Sequence, residues 1–481
     1  MRALYSVFLF AMLCAACSPR HVTVKPCAEN TQPAAQTSAE TTDPGMTLLN
    51  GVEAFEASGI QVILKRTPGK PVTAAALYIK GGSWNLDATN AGVESMALDL
   101  VASGGSVSLP REEMKVALNL MGTNFAAFTQ REYSGFALKT IAKNWDASFA
   151  IFEDVILHPA FPTDELELER TRQLEFLKGL TEDADRFVMV LAQDLLFAGH
   201  AFANRQWGTL EFVGSYSRET LVDYFTSLLT KERLLLVVVG DVTREDLEAK
   251  VAGGLGGLPT GTYQAPVAAP FSPAQPHALA AFEADTPTSY LVAMFKAPAP
   301  GDVDYPAMLV ALELLKMRLF EKIRTKLDLS YAVSAGLAES PSNYGYLYLT
   351  STYPSLALNQ IFDEVETMQD WLVNGDDLDR MRNEYLTKST MGLQSQTAQR
   401  EMLARYELLY GDWRLAGSSL SAVRAVTPAD VRRVMQTYVS NLQLGYYGAA
   451  SRLSEHLGQI DPAAADRVFM EALGFEGPKG H

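Results

Sequence analysis

The sequence predicts an α+β fold of two tandem homologous domains that follow a targeting segment and a flexible tether. Strand-like and helix-like runs are mixed in both halves of the 481-residue chain. A stretch rich in Pro and Ala, residues 259–276, lies between the halves and is typical of a linker. Several short patterns of the first half also recur in the second half.

The recurring patterns share an offset of about 210 residues and keep the same order, which indicates an internal duplication. They pair 164–170 with 376–382, 217–225 with 427–435, and 234–240 with 442–448. Two repeats of this size are duplicated domains and not a solenoid. We therefore expect an N-terminal domain over 47–258, a C-terminal domain over 277–460 and a tail over 461–481.

The first 46 residues have the features of an export signal and a tether. Arg2 precedes an apolar run, Ala3–Leu13, that has the length of a secretory signal and is too short to span a bilayer. Small residues directly before Cys17 resemble a bacterial lipobox. We expect residues 1–17 to be a signal peptide, Cys17 to be lipidated and 18–46 to be disordered. Plain secretion with cleavage nearby is the alternative.

Hydrophobic periodicity gives the elements of the first domain in order. The predicted strands are 52–56, 60–65, 74–80, 125–130, 133–140 and 234–240. The predicted helices are 92–103, 111–120, 143–157, 163–180, 186–197, 218–229 and 243–253. The second domain opens with a predicted strand at 289–295.

Composition excludes some classes of function. The net charge is −16, so we expect neither nucleic acid nor anionic lipid as a main partner. All three cysteines, Cys14, Cys17 and Cys27, lie before the predicted domains. The folded body therefore has no disulfide and no thiolate nucleophile or ligand.

The strand at 73–80, the turn Gly81-Gly82-Ser83 and the helix from Gly92 resemble the start of a domain of the M16 (insulinase-like, inverzincin) peptidase family. The likeness spans about residues 48–455, through motifs such as Leu168–Arg172 and Val237–Val242. It implies two M16/LuxS-like domains that form one half of a clam shell around a peptide-binding chamber.

In that family the helix carries H-x-x-E-H, which binds zinc and activates water. The matching positions here are Ser95, Leu98 and Asp99, and the third ligand position falls near Leu177-Lys178, with Glu175 out of register. The resemblance thus implies a non-catalytic chain without metal ligands, and zinc is expected in a partner subunit. The six histidines offer no replacement at helical spacing; they are His21, His158, His200, His277, His456 and His481.

Two further motifs concern substrate. The family's Asn-Ala-Phe-Thr edge strand is represented by Phe125–Thr129, with Ala126 at the Asn position. The family's R-x-x-x-x-L-x-Y element is retained as Arg324 and Tyr331, which the resemblance implies are substrate-binding. The structural alternative is that Arg324 pairs with Glu321 and that Tyr331 merely begins a strand.

Three interpretations follow. The first is a non-catalytic, peptide-binding subunit of a heterodimeric M16-type zinc metallopeptidase, anchored as a periplasm-facing lipoprotein, with the outer membrane favoured by Ser18. Its partner would be an H-x-x-E-H subunit. The second is a stand-alone pseudo-peptidase that acts as a scaffold or peptide-binding lipoprotein. The third is an active metallopeptidase with atypical ligands.

Overall fold

The structure is a computed structural model and describes residues 44–265, 271–273 and 277–453. The predicted signal peptide, Cys17 and the tail at 461–481 lie outside the described residues, as does the tether before Pro44. Within the described ranges, no helix is both long and apolar enough to cross a membrane.

The first half begins with a short helix and a hairpin, both ahead of the strand that leads into the site. In chain order its elements are α1 (Pro44–Leu49), β1 (Val52–Ala57), β2 (Ile60–Arg66), β3 (Val72–Lys80), α2 (Val93–Gly104), α3 (Arg111–Met121), β4 (Asn124–Thr129), β5 (Tyr133–Ile141), α4 (Trp145–Leu157), α5 (Thr163–Gly179), α6 (Ala184–Leu196), α7 (Leu210–Ser215), α8 (Arg218–Leu228), β6 (Leu234–Gly240) and α9 (Arg244–Gly253).

The second half repeats most of this order. Its elements are β7 (Ala278–Glu283), β8 (Ser289–Lys296), α10 (Tyr305–Leu319), β9 (Val333–Leu337), β10 (Tyr344–Ser351), α11 (Pro354–Asp370), α12 (Gly375–Gly392), α13 (Gln396–Tyr410), α14 (Leu415–Ala422), α15 (Pro428–Tyr438) and β11 (Gln443–Gly448). A π-helical turn, Phe320–Lys326, continues α10 without a break.

Five strands of the two sheets share one topology, and the first sheet has β1 as an additional edge strand. Strands follow the order β1-β2-β6-β3-β5-β4 in the first and β7-β11-β8-β10-β9 in the second. Each contains one parallel pair, β2 with β6 and β7 with β11, and is otherwise antiparallel. Helices repeat too, because α5 and α12 begin 212 residues apart, as do α6 and α13. The predicted duplication into two α+β domains is confirmed.

The central strand β6 shows why these sequences make buried strands. Its residues Leu234–Gly240 are all buried, so the run needs apolar side chains on both faces instead of an alternation. The hairpin β1–β2 closes at Ser58 and Gly59, which have φ values of 49° and 87°. Two successive positive φ values match the twist of the flanking strands.

Each half covers the sheet of the other half with a helix. Helix α6 of the first half packs on β7, β8 and β11, and helix α13 of the second half packs on β3 and β6. The first contact buries Phe187, Val188 and Leu191 with Val292 and Met294.

The reciprocal contact is also apolar, and it buries Leu403 and Ala404 of α13 with Ile63, Val237 and Val239. A sheet face that would be open in an isolated half is thus closed by a helix of the other half.

The linker between the halves is partly packed. The ring of Tyr263 lies under Arg233, with the guanidinium carbon 4.5 Å from the ring centroid. Phe271 is buried against Phe197, with ring centroids 4.9 Å apart. The described part of 259–276 therefore follows the surface of the body at these two points.

A close approach between the halves, at Gly445, yields a stability prediction. A Cβ on Gly445 in β11 would lie 2.4 Å from the carbonyl oxygen of Val188 in α6. Gly445→Ala must displace α6, so we expect it to lower the free energy of unfolding by about 1–3 kcal/mol. Because the halves share cores, the midpoint of one common unfolding transition should shift, as measured by denaturant titration.

The matched control is Gly392→Ala at the end of α12, where a Cβ meets nothing within 4 Å. It should be neutral or slightly stabilising, since Ala favours a helix over Gly. Two separate transitions, with only one shifted by Gly445→Ala, would contradict interdependent halves.

Candidate functional site

The start of α2 is fixed by a contact between two glycines. Gly92, the residue before the helix, has a φ of 86°, and a Cβ there would lie 2.8 Å from the Cα of Gly208. Gly208 also has a positive φ, 75°. Only residues without a side chain allow this approach, which seats Gln206 and Trp207 beside the first turns of α2.

A groove of about 280 Å³ lies between α2, α5 and this loop. Ser95 and Asp99, four residues apart and therefore on one face of α2, line it together. The Ser95 hydroxyl donates to Asp99 Oδ2 at 3.4 Å. The remaining lining residues are Thr129, Glu169, Arg172, Gln173, Phe176, Gln206 and Trp207.

The groove holds two neighbouring carboxyl groups. Burial, followed by repulsion from Glu169, raises the pKa of Asp99 from 3.8 to about 6. Burial also raises the pKa of Glu169, although the Arg172 guanidinium counteracts it. Arg172 Nη1 lies 2.6 Å from Glu169 Oε1, so the second carboxylate already has a cation.

The residues of α5 that line this groove differ from those predicted near the third ligand position, Leu177-Lys178. Leu177, predicted near the third ligand position, is 3% exposed and lies in the core of the first half, and Lys178 is exposed. The groove is lined instead by Gln173 and Phe176 on α5, together with Glu169. Leu177 and Lys178 therefore do not line the groove, because another face of α5 is turned toward it.

The residues of the groove do not fit a zinc ion. Leu98, at the position of the general base, is fully buried in the core, and Ser95 offers only a hydroxyl. The guanidinium of Arg172 already lies in the groove and would repel a cation. No group of three or more His, Cys, Asp or Glu that could hold a metal occurs among the residues that the structure describes.

The histidines within the described ranges lie elsewhere. His158 Nδ1 lies 3.1 Å from Asp154 Oδ1 on the surface after α4. His200 packs against Phe197 and Phe202 and accepts the backbone N–H of Phe202 at its Nδ1. His277 is exposed before β7. His21, His456 and His481 fall outside the described residues.

A larger cavity of about 560 Å³ continues from the groove along β4, and Gln206 lines both. Its wall includes Ala126, Ala127 and Phe128 of β4, the last strand in the sheet order. Within the described part of the chain, the outer backbone of β4 pairs with no other strand. An edge strand of this kind offers backbone donors and acceptors to an extended peptide.

The opposite wall belongs to the second half. Ser340 donates its hydroxyl to Glu132 at 2.6 Å, and Arg405 of α13 pairs with Glu339. Burial raises the pKa of Glu132, and the Ser340 hydroxyl opposes that shift. This cavity is therefore bounded by an ion pair within the second half and by a hydrogen bond that joins the two halves.

Arg324 and Tyr331 come together at a separate, open pocket of about 430 Å³. The guanidinium carbon of Arg324 lies 4.9 Å from the ring centroid of Tyr331 and 4.8 Å from that of Phe320. Glu321, the acid that the structural alternative paired with Arg324, instead forms a 3.0 Å ion pair with Lys326. Tyr331 is 82% exposed and precedes β9, which begins at Val333.

Sequence reasoning missed the residues that complete the groove, namely Glu169, Arg172 and Trp207. Glu169, Gln173 and Phe176 are four and seven residues apart, which places them on one face of α5. That spacing was visible in the sequence. The contribution of Trp207 was not, because it depends on the approach of Gly208 to Gly92.

The raised pKa of Asp99 predicts a pH-dependent stability change. The folded state favours the protonated group, so wild-type stability falls as the pH rises from about 4 through about 6. Asp99→Asn leaves residue 99 without a charge at every pH. It should raise the free energy of unfolding by up to about 3 kcal/mol at pH 7.5, with little gain at pH 4. Denaturant unfolding at several pH values measures this difference.

Asp87→Asn is the control, and its effect on the free energy of unfolding should have the opposite sign. The Thr89 hydroxyl holds the pKa of Asp87 below its ordinary value, so this variant should lose stability above about pH 4. A pH-independent effect of Asp99→Asn would contradict the environment described for Asp99.

Known families match both halves of the chain. Residues 61–195 match the family described as Insulinase (Peptidase family M16), and residues 215–385 match the one described as Peptidase M16 inactive domain. An uncharacterized zinc protease of Mycobacterium leprae is 23% identical over 405 residues, covering 82% of this chain and 89% of that protein. The mitochondrial-processing peptidase subunit beta of Dictyostelium discoideum is 25% identical, but the match covers 40% of this chain and only 41% of that subunit.

Solved structures share the fold at low sequence identity. A protease from Helicobacter pylori superposes with a TM-score of 0.75 at 16% identity, covering 82% of this chain and 98% of that one. A peptidase M16 inactive domain from Pseudomonas fluorescens gives a TM-score of 0.73 at 18% identity, with coverage of 83% and 98%. The paired sheets, the duplicated helices and the two family matches agree: the chain belongs to the peptidase M16 (insulinase-like) family, and its sequence contains no H-x-x-E-H motif.

Proposed function

We propose that this protein is a non-catalytic, peptide-binding subunit of a heterodimeric M16-type zinc metallopeptidase of the bacterial cell envelope. One observation carries the proposal. The groove at Ser95 and Asp99 has no set of metal ligands, whereas Arg324 and Tyr331 are assembled at a pocket in the second half. The groove of the first half thus lacks a set of zinc ligands, and groups suited to bind a peptide are present in the second half.

The proposed binding mode uses polar groups that face solvent. Arg324 offers a fixed fork of N–H donors to oxygen atoms of a peptide, and its orientation is held by the rings of Phe320 and Tyr331. The exposed Tyr331 hydroxyl adds a further donor. The free edge of β4 in the first half can pair with an extended segment of the same peptide through backbone hydrogen bonds.

Hydrolysis in this proposal belongs to a second subunit that carries H-x-x-E-H and its zinc ion. The chain itself contributes binding and no reaction step. The signal-like N-terminus and the small residues before Cys17 support a lipidated, periplasm-facing location. One protein of similar fold, with a TM-score of 0.70, is described as the periplasmic protease PqqL from Escherichia coli, and this chain covers 46% of its length.

The proposal predicts different effects of Arg324 on binding and on assembly. Co-purified with an H-x-x-E-H subunit, the Arg324→Ala variant should cleave a model peptide at least about tenfold more slowly, because a charge-assisted contact is lost. The complex should remain intact by size-exclusion chromatography. Lys326→Ala is the matched control, since Lys326 is an exposed cation already paired with Glu321.

Three outcomes separate this function from the alternatives. Stoichiometric zinc and chelator-sensitive cleavage by the purified chain alone would mean an active enzyme with atypical ligands. Peptide binding without any H-x-x-E-H partner would favour the stand-alone scaffold. Unchanged joint cleavage by Arg324→Ala would remove Arg324 from the peptide-binding surface.

A further inference from the structure

The second-half pocket contains a cation without a counter-ion. Among the described residues, the side chain of Arg324 makes neither an ion pair nor a hydrogen bond, although the chain carries a net charge of −16. Other basic residues of the same segment are paired: Lys322 with Glu364, and Lys326 with Glu321. The guanidinium of Arg324 is thus available to form an ion pair with a ligand.

The side chain is oriented before any ligand arrives. Its guanidinium carbon lies 4.8 Å from the ring centroid of Phe320 and 4.9 Å from that of Tyr331, so cation–π contacts with two rings hold it in place. An oriented guanidinium loses little freedom on binding. Its fork of parallel donors matches the two oxygens of a carboxylate.

The π-helical turn explains how the three groups meet. Residues Phe320–Lys326 are wound with wider hydrogen bonding, and the N–H of Leu327 donates to the carbonyl oxygen of Lys322 at 3.1 Å, five residues back. Such turns are uncommon and occur often at functional sites. The next residues return beneath the turn, since Leu329 N–H donates to the carbonyl oxygen of Ile323 at 2.9 Å and thereby places Tyr331 beside Arg324.

The rest of the pocket is rich in hydroxyl groups. Ser330 and Ser351 use theirs to hold the carbonyl oxygens of Ala332 and Leu329, at 2.8 and 2.5 Å, so they build the wall. The other hydroxyl-bearing lining residues are Thr288, Thr325, Thr350 and Thr352, besides Tyr331. Hydroxyl groups beside a guanidinium form an environment that suits an oxyanion.

One lining residue opposes an anion. Asp328 lines the same pocket, with a φ of 50°, but it is not within ion-pairing distance of Arg324. Its carboxylate weakens anion binding at long range instead of neutralising Arg324 directly. This arrangement provides a test, because Asn accepts a positive φ as well as Asp does and removes the charge.

We infer that this pocket binds a carboxylate group of an extended peptide, held by the Arg324 fork and the surrounding hydroxyls. This inference rests on the proposed function and deepens it, since it names the chemical group that the peptide presents. Two sources share that chemistry: the free C-terminus of the peptide and an acidic side chain within it.

The test is fluorescence anisotropy with labelled unstructured peptides and the mature chain. One pair of peptides ends in a free acid or an amide, and a second amidated pair contains an internal Glu or Gln. We expect the peptide that carries the recognised carboxylate to bind about tenfold more tightly than its neutral counterpart. The pair that shows this ratio identifies the source.

Variants assign the effect to the pocket. Arg324→Gln should abolish the ratio between acid and neutral peptides, whereas Asp328→Asn should increase it several-fold. Lys326→Gln removes one nearby positive charge without touching the fork and should leave the ratio nearly unchanged. The far-ultraviolet circular dichroism of each variant checks that the turn still folds.

The outcomes distinguish this inference from the proposed function. If all four peptides bind equally and Arg324→Gln weakens all of them alike, the pocket contacts the peptide backbone, so the carboxylate inference fails and the peptide-binding function stands. If no peptide binds the chain or its complex, the peptide-binding function fails as well. An acid preference that survives Arg324→Gln would move the carboxylate site elsewhere.

Discussion

The apolar contacts of α6 and α13 with the opposite sheets are the constraint on which the rest of the structure depends. A mixed sheet with helices on one face leaves its other face bare, and each half covers that face with a helix of its neighbour. Burial of large side chains such as Phe187 and Leu403 supplies the driving force. Because Gly445 allows the backbone of α6 to approach β11, the two halves fit closely and stabilise one another.

The exchange of helices also creates the cavity along β4. Helix α13 brings Arg405 beside Glu339, and the Ser340 hydroxyl reaches Glu132 of the first half. These polar contacts bound a space into which the free edge of β4 opens. The edge that an extended peptide would join is therefore formed by one half and enclosed by the other.

The two halves differ in what their sites lack. In the groove at Asp99, two carboxyl groups lie close together and are partly shielded from solvent. One of them, Glu169, forms an ion pair with Arg172. In the pocket at Arg324, a cation is oriented by aromatic rings and has no partner within the described residues. Both sites hold a guanidinium that would repel a metal ion, but Arg172 is already paired with Glu169, so only the pocket at Arg324 has a cation available for a peptide oxyanion.

The sequence by itself determined the α+β class, the duplication and almost every element of the first half, because hydrophobic periodicity and glycine positions are local. It also determined that the chain has no H-x-x-E-H motif and that Arg324 and Tyr331 are seven residues apart. The tertiary structure decided which sheet each helix covers. The helix predicted at 186–197 covers the second sheet, although it precedes the linker, because its apolar face packs on that sheet. Hydrophobic periodicity predicts that a helix has an apolar face, but it does not predict which sheet that face contacts. It likewise decided that Phe176 and not Leu177 lines the groove, together with Trp207, since both depend on how distant backbones pack.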